Sequence, residues 1–102
     1  MPPTELLDPE QDTRADTRLA PRWRVLLHDD PVTTFEFVVD VLRRVFAKSP
    51  AEAQRITRAA HDTGTALVTV TTLEEGELRC EQVRSLARPL GYPLTLTLEP
   101  DG

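Results

Sequence analysis

Three stretches of the chain alternate apolar and polar side chains at period two, and longer stretches between them repeat apolar residues at helical spacing; this fixes the order of elements. Trp23, Val25 and Leu27 alternate with Arg24, Leu26 and His28, which predicts a first strand with one mainly apolar face. It runs out at Asp29-Asp30-Pro31, where Pro31 has no amide hydrogen for a ladder and the aspartates favour a turn. Thr33 or Thr34 supplies an N-cap for a helix from Phe35 to Ala47, with Glu36 near the positive end of its dipole. The apolar pairs Phe37/Val38, Val41/Leu42 and Val45/Phe46 form its stripe, widened by Phe35 and Val39, opposite Glu36, Asp40, Arg43 and Arg44.

Ser49-Pro50-Ala51-Glu52 joins a capping box to a proline at the first helical position, so a second helix starts there. It presents Ala53, Ile56, Thr57, Ala60 and His61 on one side, and Gly64 supplies the left-handed residue that ends it. Thr65 to Thr71 predicts a second strand, with Ala66, Val68 and Val70 on one face and Thr69 and Thr71 on the other. Thr72 with Glu75 opens a third helix whose stripe is Cys80, Val83, Leu86/Ala87 and Leu90, with Pro89 ending it and Gly91 closing the turn. Leu94, Leu96 and Leu98 alternate with Thr95 and Thr97 as a third strand. The order β-α-α-β-α-β predicts a single two-layer α+β domain, a three-stranded antiparallel sheet with three helices on one face.

Composition narrows what such a domain does. Residues 1–21 hold four prolines, five acidic and two basic residues, and few apolar side chains, which predicts a flexible tail ahead of a domain over residues 22–102. No run approaches the roughly 20 apolar residues of a membrane span, and the start lacks the basic-then-apolar pattern of an export signal; the expectation is a cytoplasmic protein that does not engage membrane. A net charge of −5 argues against nucleic acid and for a peptide or a basic protein surface as partner. One cysteine, Cys80, and two histidines leave no disulfide and no zinc spacing, so neither a metal nor another cofactor is expected.

Asp29, Asp30 and His61 invite reading as a metal-dependent hydrolase, yet there is no nucleophile elbow and no glycine-rich phosphate loop, and a non-enzyme is expected. Each feature also has a plainer role. His61 suits the C-terminal end of a helix dipole, Asp29-Asp30-Pro31 suits a turn, and Phe35, Val38 and Leu94 suit a core.

The run LLHDDPVTTFEFVVDVLRRVF, followed by AAHDTG and then GYPLTLTLEP, resembles the ClpS family of Clp protease adaptors from about Trp23 to Pro100, without insertion or deletion. The resemblance implies a pocket for the N-terminal residue of another protein, with a polar mouth for the free α-amine and an apolar floor for its side chain. Asp29 and Asp30 then sit at the mouth, with His61 facing them. Thr33, Phe35, Val38, Thr57, Ala60 and Leu94 line the pocket. Glu74 and Arg79, on the third helix, match in charge the residues that dock on the N-terminal domain of a Clp ATPase.

Several positions depart from the family pattern. Asp29 stands in place of asparagine, Pro31 in place of a second aspartate, and Phe35 in place of a gatekeeper methionine. Thr57 and Ala60 replace a methionine and a valine, so the floor loses volume where Phe35 adds it. The resemblance implies an adaptor that captures proteins with a bulky hydrophobic N-terminal residue and hands them to the Clp ATPase-protease. The alternative is a regulator that binds the ATPase and alters its substrate choice without reading that residue.

Overall fold

A computed structural model describes residues 20–102 of the chain. The tail expected over residues 1–21 lies, but for Ala20 and Pro21, outside the described residues. The elements are β1 (Trp23–His28), α1 (Phe35–Phe46), α2 (Pro50–Thr63), β2 (Thr65–Thr71), α3 (Leu73–Ala87), a 3-10 turn (Arg88–Leu90) and β3 (Thr95–Pro100). The strands form one antiparallel sheet in the order β2-β1-β3, with the helices layered on one face. The expected fold class and element order both hold.

Each helix begins where a short polar side chain meets its free amides. Thr34 caps α1 by accepting from the Phe37 amide at 3.1 Å, Ser49 caps α2 through Glu52, and Thr72 caps α3 through Glu75. Glu52 pairs with Arg55 one turn on, outside the box it shares with Ser49. Ala47 ends α1 in the left-handed region at φ 56°.

The core lies between the sheet and the helices. Val25 of β1, Val41 and Leu42 of α1, Ile56 of α2 and Val83 of α3 are each at most 1% exposed, and each such burial contributes about 1.5–3 kcal/mol. α3 crosses close to β3 at Gly76, where a Cβ would meet Leu98 Cδ2 at 2.6 Å; a larger residue there forces the leucine aside. Phe37 meets Tyr92 edge to face at 5.0 Å and ties α1 to the segment before β3.

Two details differ from the sequence expectation. Val25 pairs with Thr69 but Leu26 with Leu67, so Val68 is an extra residue in β2, a bulge. Ala66 pairs with core-facing Leu27 and Val68 is 3% exposed, whereas Val70 pairs with Arg24 on the outer face. The bulge breaks the alternation that placed Val70 with the other two. Leu90 is 58% exposed and not part of the buried stripe, because α3 stops at Ala87 and the tighter turn through Pro89 rotates Leu90 away.

Candidate functional site

The site lies at the end of the sheet where β1 runs into α1 and α2 runs into β2. The Asp29 amide donates to the Gly64 carbonyl at 3.0 Å, fastening the turn after β1 to the end of α2. Gly64 can close this corner because its φ is 99°, a conformation other residues rarely adopt. The tie brings the two carriers of polar chemistry together: Asp29 Oδ1 lies 3.8 Å from His61 Nδ1. That distance is too long for a hydrogen bond, and both side chains are substantially exposed.

Asp30 holds the turn itself. Its Oδ1 accepts from the Val32 amide at 2.8 Å and the Thr33 amide at 2.7 Å, and its Oδ2 accepts from the Thr33 hydroxyl at 2.8 Å. Burial pushes this carboxyl up, but the bonds from Thr33 and Val32 together outweigh it and hold the group below the usual carboxylate range. Four acceptor sites on a carboxylate, less these three donors, leave one open.

Below the turn the surface opens in two joined hollows. The inner one, about 20 Å³, is floored by Val38, Thr57, Ala60 and Leu94 and walled by Asp29, Asp30 and Thr33. It has room for about one water. The outer one, about 710 Å³, shares Asp29, Asp30, Thr33, Val38 and Thr57 with it and adds Phe35 and His61. All nine residues expected at the pocket therefore meet at one recess, though they come from the first turn, both flanking helices and the residue just before β3.

Thr57 is a polar residue on an apolar floor. It is 4% exposed, and its hydroxyl donates to the Ala53 carbonyl at 2.7 Å, so the helix satisfies it.

Residues that sequence reasoning did not select also line the recess. Leu27 and His28 wall the inner hollow, and Glu36 and Arg58 border the outer one. Arg58 Cζ lies 5.5 Å from the centre of the Phe35 ring, a cation–π contact that bridges α1 and α2 across the opening. The available signal was helical spacing, since Arg58 precedes His61 by three residues and shares its face.

Glu74 and Arg79 do not share a groove. Glu74 borders a hollow between α3 and β3 with Leu96 and Leu98, whereas Arg79 borders one between α1 and α3 and is bonded to Glu75 at 2.7 Å and Gln82 at 3.0 Å. Five residues along a helix turn through about 140°, which separates them. Among the described residues no three His, Cys, Asp or Glu side chains gather as a metal site, and no helix is long and apolar enough to cross a membrane.

Fold and site define a small single-domain binding module, a helix-covered sheet with an acceptor-rimmed recess over an apolar floor. The family model described as "ATP-dependent Clp protease adaptor protein ClpS" matches residues 18–97. The ATP-dependent Clp protease adapter protein ClpS of Desulfatibacillum aliphaticivorans is 44% identical over 97 residues, covering 94% of this chain and 88% of that protein. Its counterpart from Nitratidesulfovibrio vulgaris Miyazaki F is 48% identical over 77 residues, 76% of this chain and 77% of the relative. The solved structure of Agrobacterium tumefaciens ClpS2 bound to L-phenylalaninamide superposes with a TM-score of 0.77 at 33% identity, covering 79% of this chain and 98% of that one. The chain belongs to the ClpS family of Clp protease adaptor proteins, named as adaptors of a protease and not as proteases.

Proposed function

We propose that this chain binds the N-terminal residue of other proteins in the recess below Asp29 and delivers them to a Clp ATPase-protease. The observation that carries the reading is the 3.8 Å gap between Asp29 Oδ1 and His61 Nδ1 above an apolar floor. An ammonium nitrogen about 2.8 Å from each subtends an angle of about 85° across that gap, within the fan of three donors that an α-amine offers. His61 must then be neutral at Nδ1 to accept, while Asp29 adds Coulomb attraction and Asp30 lines the same recess with one acceptor site to spare. The first side chain is read by burial against Phe35, Val38 and Thr57, with Ala60 and Leu94 beneath its tip, at roughly 25 cal/mol per Å².

A bulky hydrophobic first residue suits the reading, since its ring or branch occupies the wide outer hollow against Phe35 and Val38 with only its tip over the inner one. The relative from Agrobacterium tumefaciens was solved with L-phenylalaninamide, a free amine beside a benzyl group. α3 supplies the surface for the N-terminal domain of the ATPase, with Glu74 and Arg79 at opposite borders, and the protein works in the cytoplasm.

The test is a fluorescence-anisotropy titration with peptides that begin with Phe, Leu, Tyr or Trp, each with a free and an acetylated amine. Free peptides bind, while acetylated copies and a His61→Ala variant lose most of the affinity. Equal binding of free and acetylated peptides contradicts the reading. The small inner hollow favours a second reading, a regulator that binds the ATPase without gripping N-terminal residues. Co-purification with the ATPase, together with no amine-dependent peptide binding, selects that one.

A further inference from the structure

The recess is bordered by charges of both signs. Asp29, Asp30 and Glu36 come from the first turn and the start of α1, and Arg58, beside the His61 imidazole, comes from α2. Asp30 is engaged by Val32 and Thr33, and Asp29 faces His61. Arg44, Arg55, Arg79 and Arg84 each pair with a carboxylate on their own helix, whereas Arg58, like Arg43, pairs with none among the described residues although Asp62 stands one turn on; of these two only Arg58 borders the recess. Its guanidinium instead lies over the Phe35 ring at the opening. Stacking on a ring leaves the guanidinium edge, with its N–H donors, open to a ligand.

Residues three apart on a helix have Cβ atoms about 5–6 Å apart, and an extended peptide advances about 3.3 Å per residue, so a chain whose amine rests at His61 and whose backbone leaves over Phe35 brings its second residue within reach of the long Arg58 side chain. We infer that Arg58 reads this second residue and favours an acidic side chain there over a basic one. The inference rests on the N-terminal residue occupying the recess as proposed above. Without Arg58 the mouth carries only the carboxylates of Asp29, Asp30 and Glu36 and the imidazole of His61, a set that repels an acidic second residue.

The experiment uses the full chain and three peptides identical except at the second position, Phe-Asp, Phe-Ala and Phe-Lys, titrated by anisotropy at low and high salt. Phe-Asp binds more tightly than Phe-Lys by about 3–10-fold at low salt, and the ratio shrinks as salt screens the exposed pair. Arg58→Lys keeps part of the ratio, Arg58→Ala removes it and tips the preference toward Phe-Lys, because only the carboxylates remain, and Arg58→Glu reverses it further. Because the ratio compares peptides on one protein, any effect of Arg58 on Phe35 that changes all affinities alike cancels. Equal binding of Phe-Asp and Phe-Lys, or a ratio that survives Arg58→Ala, overturns the inference while tight Phe-Ala binding leaves the parent reading standing. If Phe-Ala also fails to bind, both fall.

Discussion

Replacing Asp30 by alanine removes the acceptor that shapes the turn between β1 and α1. Three donors lose their partner, the Val32 amide at 2.8 Å, the Thr33 amide at 2.7 Å and the Thr33 hydroxyl at 2.8 Å. A hydrogen bond to a charged group contributes about 1.5–3 kcal/mol when buried, but Asp30 is only half-buried, and water re-solvates part of what is lost; about 1 kcal/mol for each bond gives a total of about 2–3 kcal/mol. For a domain of this size that lowers the unfolding temperature by about 10–20 °C. Asp30→Asn keeps a carbonyl for the two backbone donors and loses less than Asp30→Ala.

The effect depends on pH in one direction. The folded carboxyl titrates below its unfolded value, so its stabilisation is fully present above the ordinary carboxylate range and is lost as pH falls through the depressed folded value. Thermal unfolding of the wild type and both variants, at neutral pH and at about pH 2.5, therefore shows a gap that is wide at neutrality and narrows in acid. A loss under about 0.5 kcal/mol at neutral pH, or a gap of equal width at both values, refutes the reasoning.

Three other outcomes follow from the packing. Leu42→Ala, at a side chain 1% exposed between the helices, costs about 2–5 kcal/mol in urea unfolding without changing the element order. Gly64→Ala forces a Cβ into a residue at φ 99° and costs about 1–2 kcal/mol; it also weakens peptide binding, because the Gly64 carbonyl fastens the Asp29 turn to α2. Burial pushes the Cys80 thiol up, so a thiol-specific chromogenic reagent leaves the folded protein unreacted at neutral pH and titrates one thiol after denaturation.

The fold was legible wherever local chemistry decides it. Ser49-Pro50 and the Thr72 cap mark helix starts through side-chain bonds spanning three residues, and the alternation around Val25 and Leu27 marks the central strand through burial on one face. The bulge at Val68 was not legible, because it is set by the register of β2 against β1, a property of two strands and not of one. Leu90 misled for a related reason. Helical spacing carries on through Pro89 in the sequence, but the backbone tightens there and turns the side chain outward.

At the site, residue identity reached as far as the family pattern did. That pattern gathered Asp29, His61, Thr57 and Leu94, residues far apart in the chain, onto one recess. It carried no information on Arg58, which lies over the Phe35 ring, a residue that departs from that pattern. It also did not anticipate that Asp30 is engaged by its own turn, or that Glu74 and Arg79 border different grooves.

The most direct measurement is a double-mutant cycle that crosses the wild type and Asp29→Ala with two peptides, one beginning with phenylalanine and one with the same residue lacking its amine. Deleting the amine weakens binding far more in the wild type than in the variant, with a coupling of about 1–3 kcal/mol between carboxylate and ammonium. Losses that simply add, to within about 0.3 kcal/mol, contradict the account, since the amine would then rest somewhere other than beside Asp29.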